Sequence, residues 1–226
     1  MLGKITVYTG PMFSSKSVMM LFAFERAMIA EKKVLAFKPR IDDRFGNSVI
    51  RSRSFGEIPA IDISNISELF NYDADVFIID EFQFLAGDVS LIQNMANDGK
   101  IFYISGLDMT AEGKPFGPMP ELLAIADQVE KKVAICNDCK RENATISFYL
   151  GNKTEDIVVG NHEYIVLCRE CWKKRMSRKE TDIWWISLNL KINPTLNLPT
   201  FLNVGNVLGG TKMMMEAILE LLKMVC

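Results

Sequence analysis

The chain has 226 residues, of which 49% are hydrophobic and 24% charged, enough apolar material for one full domain and a small appendage. A formal net charge of −2 gives no general polyanion-binding signal, so a nucleic-acid groove would need a local basic patch. No apolar stretch reaches bilayer-spanning length, and Lys4 interrupts the short apolar run at the start, so a soluble, cytoplasmic protein without a secretory leader is expected.

In chain order, "KITVYTG" is a β-branched and aromatic run ending in glycine, which predicts a buried strand. Helix is predicted from Lys16 to about Glu31, with Met19, Met20, Phe22, Ala23, Ala27 and Ala30 as its apolar face. "KVLAFKP" reads as a second strand stopped by Pro39, and residues 40–57 read as a long polar loop. "IPAIDI" is a short strand, and Ser64 or Asn65 caps a short helix before Tyr72. "DVFIID" is the strongest strand, followed by helix from about Asp88 to Asn97 and the strand "KIFYISG". "LDMTAEGKPFGPMP" is loop, "ELLAIAD" helix, and "QVEKKVAIC" one strand running into a cysteine pair. Continuous apolar strands separated by helices predict an α/β fold, a parallel sheet covered on both faces. Three regions follow: a nucleotide-binding α/β domain over 1–134, a small ribbon over 135–176, and an apolar extension over 177–226. The extension either packs onto the body or a subunit, or lies on a membrane surface; its scant basic charge disfavours the membrane.

Two stretches suggest chemistry. Gly10, Pro11, Met12, Phe13, Ser14, Ser15, Lys16 and Ser17 follow a strand and open a helix. They match the phosphate-loop pattern G-x-x-x-x-G-K-[ST] except that Ser15 replaces the second glycine. Backbone N–H groups at such a helix start attract anions; Lys16 would reach the β/γ-phosphates and Ser17 would ligate Mg²⁺. Serine at this position costs on the order of 1–3 kcal/mol if the backbone needs positive φ. An ordinary small-residue turn stays open as the alternative. Asp80, ending "VFIID", supplies the carboxylate expected on the Mg²⁺ side, in the same crevice at the strand carboxyl ends. Of the five cysteines, Cys136, Cys139, Cys168 and Cys171 form two CxxC pairs that fit a closed S₄ zinc site; a redox role needs only one pair.

"GPMFSSKS", "FKPRIDDRF", "IIDEFQF", "GLDM…GKPFG", "CNDC" and "CREC" closely resemble, in order, the type II thymidine kinases, over residues from about 3 to 175. The resemblance implies a P-loop α/β domain, a zinc-bearing lasso, and transfer of the ATP γ-phosphate to the 5′-hydroxyl of thymidine. It makes Glu81 the general base, Arg44 the cation on the transferring phosphate, and Asp42 an acid near the metal. Met12 would lie near the thymine methyl, Phe84 and Phe116 would wall the pocket, and Gln83 would join the substrate-binding set. For the aromatics, plain core packing is the alternative. "DIVVGNHEYIVLC" resembles the lasso, so Val158, Val159 and Gly160 would offer backbone to the base, with Tyr164 against it. The sole histidine, His162, reads as an exposed loop residue. The resemblance further implies a homotetramer and feedback by thymidine triphosphate; neither membrane nor nucleic acid is an expected partner. Departures are Ser15, the "TAEG" loop, which lacks the family's aromatic and basic residues, and the tail. Two other readings follow from them: a nucleotide-binding relative with impaired catalysis, and a zinc-ribbon nucleic-acid-binding protein resting on the basic residues around the cysteines.

Overall fold

The computed structural model describes residues 3–42, 48–52, 55–151 and 163–177. Arg44, Val158, Val159, Gly160, His162 and the segment after Ser177 lie outside the described residues. Packing divides the chain into two units, Met1–Tyr149 with Ile157–Arg169, and Leu150–Asp156 with Glu170–Cys226. In the second unit, residues 170–177 are helical and Lys174 pairs with Glu170 at 2.7 Å. No helix among the described residues is long and apolar enough to cross a membrane.

The first unit opens with strand β1 (Lys4–Thr9), helix α1 (Lys16–Ile29) and strand β2 (Val34–Pro39). Strands β3 (Val49–Ser52), β4 (Gly56–Pro59) and β5 (Ile61–Ile63) follow, then a 3₁₀ segment, Ile66–Asn71. Strand β6 (Val76–Ile79), a 3₁₀ turn at Phe82–Phe84, α2 (Ser90–Asn97) and β7 (Ile101–Gly106) come next. Helix α3 (Met119–Ile125), β8 (Gln128–Lys131), β9 (Ala134–Ile135), β10 (Glu142–Ala144), β11 (Ile146–Tyr149) and β12 (Tyr164–Leu167) complete it.

Six strands form one parallel sheet in the order β5-β2-β6-β7-β1-β8. Side chains alternate between its faces, and both faces are covered, which is why the strands read as unbroken apolar runs. On one face Tyr8, Ala36, Val76 and Ile78 pack under Met20, Leu21, Ala23 and Ala27 of α1. On the other, Ile5, Val7, Phe37, Phe77, Ile79, Phe102 and Ile104 pack with Ile92 and Met95 of α2 and Met119 and Leu122 of α3. Phe77 stacks on Phe37 and Phe102 at centroid separations of 5.7 and 5.1 Å, one aromatic row across three neighbouring strands.

Two sequence expectations are corrected. Residues 40–57 are not all loop: β3 and β4 pair antiparallel, with Ile50 opposite Ile58, and both are buried against the α1 face of the sheet. Charged neighbours hid this alternation, and one of them, Arg51, pairs across the strands with Glu57. "QVEKKVAIC" is two strands, because after β8 the chain leaves the parallel sheet and β9 pairs antiparallel with β10.

The 3₁₀ segment starts as expected. The Asn65 side chain accepts from Ser67 N at 2.9 Å, and Glu68 reaches back to the N–H groups of Asn65 and Ser64. The Ser64 N–H above all holds the Glu68 carboxyl below its ordinary range, with the Asn65 N–H and Arg40 adding to the effect against the cost of burial. Gly87 (φ +112°) lets this cap close, since a Cβ there would lie 2.5 Å from Asn65 Oδ1. Asn65→Ala is expected to cost about 1 kcal/mol of stability in urea unfolding. The Glu68 contribution is expected to be complete above its unfolded pKa and to fade as pH falls through the depressed folded value.

Candidate active site

Because the sheet is parallel, the segments after β1, β2 and β6, and the end of β7, emerge at one edge. The segment after β1 turns at Gly10, whose φ is +132° and whose Cβ would meet the Lys132 carbonyl oxygen at 2.3 Å. Glycine is therefore required there on two counts. Phe13 and Ser15 also have positive φ, +60° and +64°. Ser15 caps α1 from the left-handed region without a side-chain hydrogen bond. The Pro11 carbonyl accepts from Lys16 Nζ at 2.6 Å and from Ser14 Oγ at 2.8 Å, so the loop curls around its own lysine. Met12 is buried, and its N–H donates to Ser147 Oγ of β11 at 2.9 Å.

Asp80 joins this loop to the strand ends. Its Oδ2 accepts from Ser17 Oγ at 2.9 Å, its Oδ1 from the Glu81 N–H at 3.0 Å, and Oδ1 also from Ser105 Oγ at the end of β7. Glu81 is 8% exposed and left-handed, with φ +51° and ψ +40°. A glutamate held in this region is strained by about 1–3 kcal/mol, the kind of cost that concentrates at functional sites. Gln83 donates from its amide nitrogen to Glu81 Oε2 at 2.5 Å and accepts from the Leu107 N–H at 2.9 Å. Asp42 is buried after β2, and its carbonyl accepts from the buried Lys38 at 2.6 Å.

The 107–118 loop rises over this edge. Phe116 meets Phe84 edge to face at 5.4 Å, and Asp108 pairs with Lys131 at 2.6 Å. Tyr164 lies half-buried beside Tyr149 on the paired strand, with ring centroids 5.0 Å apart. Burial first, then the charges of Glu112 and Glu163, push its hydroxyl above the ordinary phenol value.

Cys136, Cys139, Cys168 and Cys171 bring their sulfurs within 4.8 Å of one another. A tetrahedral zinc at ~2.3 Å from each sulfur would set them roughly 3.8 Å apart; Cys139 and Cys168 are 3.9 Å apart. Burial pushes the Cys136 thiol up, but N–H groups of Cys139, Cys168 and Asp138 outweigh it and carry it below the usual thiol range. Lys140, at φ +61°, makes the tight turn after the first pair. The cluster has the ligand number and chemistry of a structural zinc site.

The structure thus gathers the phosphate-loop residues, Asp80, Glu81 and Gln83 at one edge, with Phe84 against Phe116. Ser105 and Ser147 escaped the sequence reading. Ser105 was visible as a hydroxyl within the apolar run "KIFYISG", whereas the role of Ser147 shows only once the fold brings its hydroxyl to the Met12 N–H.

A parallel sheet with a strand–loop–helix of this kind at its carboxyl edge defines a P-loop α/β protein. The family model described as thymidine kinase matches residues 3–172. A thymidine kinase of Pseudothermotoga lettingae is 31% identical over 185 residues, covering 80% of this chain and 100% of that protein. The chain belongs to the thymidine kinase family.

Two substitutions in the loop are expected to move stability in opposite directions. Ser15→Gly relieves about 1–2 kcal/mol of left-handed strain against about 0.5–1 kcal/mol of added chain entropy, a small net gain. Gly10→Ala overpacks the Lys132 carbonyl and is expected to cost about 1–3 kcal/mol. Chemical denaturation of both variants checks the signs.

Proposed function

We propose that this protein transfers the γ-phosphate of ATP to the 5′-hydroxyl of thymidine, yielding thymidine monophosphate and ADP. One observation carries the reading within this family: Asp80 binds the hydroxyl of Ser17, the phosphate-loop serine, while the buried, strained Glu81 stands next to it. The loop N–H groups and Lys16 would hold the triphosphate, with Arg44 adding a planar cation at the transferring group. Ser17 and Asp80 present adjacent hard oxygens, the donor type that Mg²⁺ prefers, and they would hold that ion with Asp42 nearby. When bound, Mg²⁺ neutralises charge on the phosphate oxygens.

The thymidine 5′-oxygen attacks the γ-phosphorus as the bond to the β–γ bridging oxygen breaks, and its proton passes to the Glu81 carboxylate. Met12, Phe84 and Phe116 would contact the nucleoside, with Tyr164 and the backbone of Val158, Val159 and Gly160 closing on the base. Tetrameric assembly, thymidine triphosphate feedback and a cytoplasmic location extend the same family likeness.

Glu81→Gln keeps the shape but removes the proton acceptor. Its kcat in a thymidine phosphorylation assay is expected to fall by about 10²–10⁴-fold while ATP affinity changes little. Comparable losses in both quantities would remove Glu81 as the base. Zinc would close the four-cysteine cluster as a structural ion. Metal analysis is expected to find one zinc per chain, and its removal by a strong chelator to lower the melting temperature.

A further inference from the structure

We propose that Gln83 is a positioning residue for the Glu81 carboxylate, coupling its orientation to the loop that walls the nucleoside pocket. The proposal rests on the reading of Glu81 as the base. Gln83 is 3% exposed, and both ends of its side-chain amide are engaged. The Leu107 N–H can only donate and the Glu81 carboxylate accepts, so these two partners fix which way the amide points. One amide therefore carries the position of the Leu107 backbone into the plane of the carboxylate.

Glycines make room for this bridge on two sides. A Cβ at Gly106 would lie 2.9 Å from Gln83 Oε1 and 2.6 Å from Met119 Sδ. A Cβ at Gly117, itself at φ +48°, would lie 2.3 Å from the Gln83 carbonyl oxygen. Between these glycines the loop is tied to itself: Thr110 N donates to the Lys114 carbonyl at 2.8 Å, and Phe116 N to the Asp108 carbonyl at 3.2 Å. Asp108 is in turn anchored to Lys131. These ties make the loop one connected unit, and Phe116 is part of it. A nucleoside that seats poorly against Phe116 displaces the Leu107 N–H, turns the Gln83 amide and misaims Glu81. Poor fit then lowers turnover as well as affinity.

Steady-state kinetics of the full chain with thymidine and Mg-ATP test this in Gln83→Met and Gln83→Asn, each made in the wild-type and in the Glu81→Gln background. In Gln83→Met, kcat is expected to fall by about 10²-fold with the KM for ATP unchanged. In the Glu81→Gln background the same change is expected to cost little more, because the carboxylate it positions is already gone. A residue that merely fills space would lower kcat by the same factor in both backgrounds, so equal factors overturn the proposal. Gln83→Asn, a shorter amide that cannot span both partners, gives the same comparison if Gln83→Met fails to fold. If Glu81→Gln lowers turnover while the Gln83 substitutions cost the same in both backgrounds, the base reading stands and the positioning role falls. If Glu81→Gln retains full turnover, the base reading falls and takes the proposal with it.

Discussion

The Asp80 carboxylate is the joint on which the site's geometry depends. It takes a hydroxyl from the first turn of α1, a hydroxyl from the end of β7 and the N–H of the residue that follows it. The two hydroxyls come from segments far from Asp80 in the chain and meet it because the sheet is parallel. Removing the carboxylate would leave buried donors without their acceptor, which costs more than the bonds contribute when made. The two buried faces of the sheet hold the strand ends in register, and Asp80 fixes what projects from them.

Three of the six non-glycine residues with positive φ among the described residues lie at the same edge. Phe13, Ser15 and Glu81 are left-handed without being glycine, and two of the three lie in the loop ahead of α1. Each such residue works against stability, so each persists only because its surroundings determine it. For Glu81 these include the Asp80 acceptor on its N–H and the Gln83 amide on its carboxylate. For the loop they include the Lys16 ammonium and Ser14 hydroxyl on the Pro11 carbonyl and the Ser147 hydroxyl on the Met12 N–H. The stability needed to hold this strain comes from the core, where Phe37, Phe77 and Phe102 stack fully buried across neighbouring strands.

The parallel sheet was legible because burial on both faces leaves an unmistakable pattern: "DVFIID" and "KIFYISG" have no polar alternation to confuse them. The β3–β4 hairpin was not, because only Ile50 and Ile58 face the core there while Arg51 and Glu57 face outward. Short strands of this kind look like loop until the surface they cover is known. At the site, residues within one contiguous stretch, from Gly10 to Ser17 and from Asp80 to Phe84, could be read directly. Ser147 and Lys131 could not, since their partners, Met12 and Asp108, lie far away in the chain and meet them only through the fold, and Ser105 showed as a hydroxyl without its partner Asp80. The zinc-type cluster lies between these cases, because each CxxC pair announces itself while their convergence rests on the β11–β12 pairing and the Asn137–Val166 bonds.

The serine in place of the loop's second glycine is resolved by separating two demands that glycine usually meets together. At Gly10 a side chain would collide with the Lys132 carbonyl at 2.3 Å, and φ is +132°, outside what an L-residue tolerates. That position admits no substitute without moving backbone. Ser15 has φ +64° and ψ +23°, inside the small left-handed basin that L-residues can occupy at modest cost. The loop therefore follows a left-handed path into α1 with serine in place, its lysine gathered on Pro11 and its Ser17 hydroxyl on Asp80. The demand at position 15 is conformational, and serine meets it under strain. The strain at position 15 bears on how firmly the loop is held.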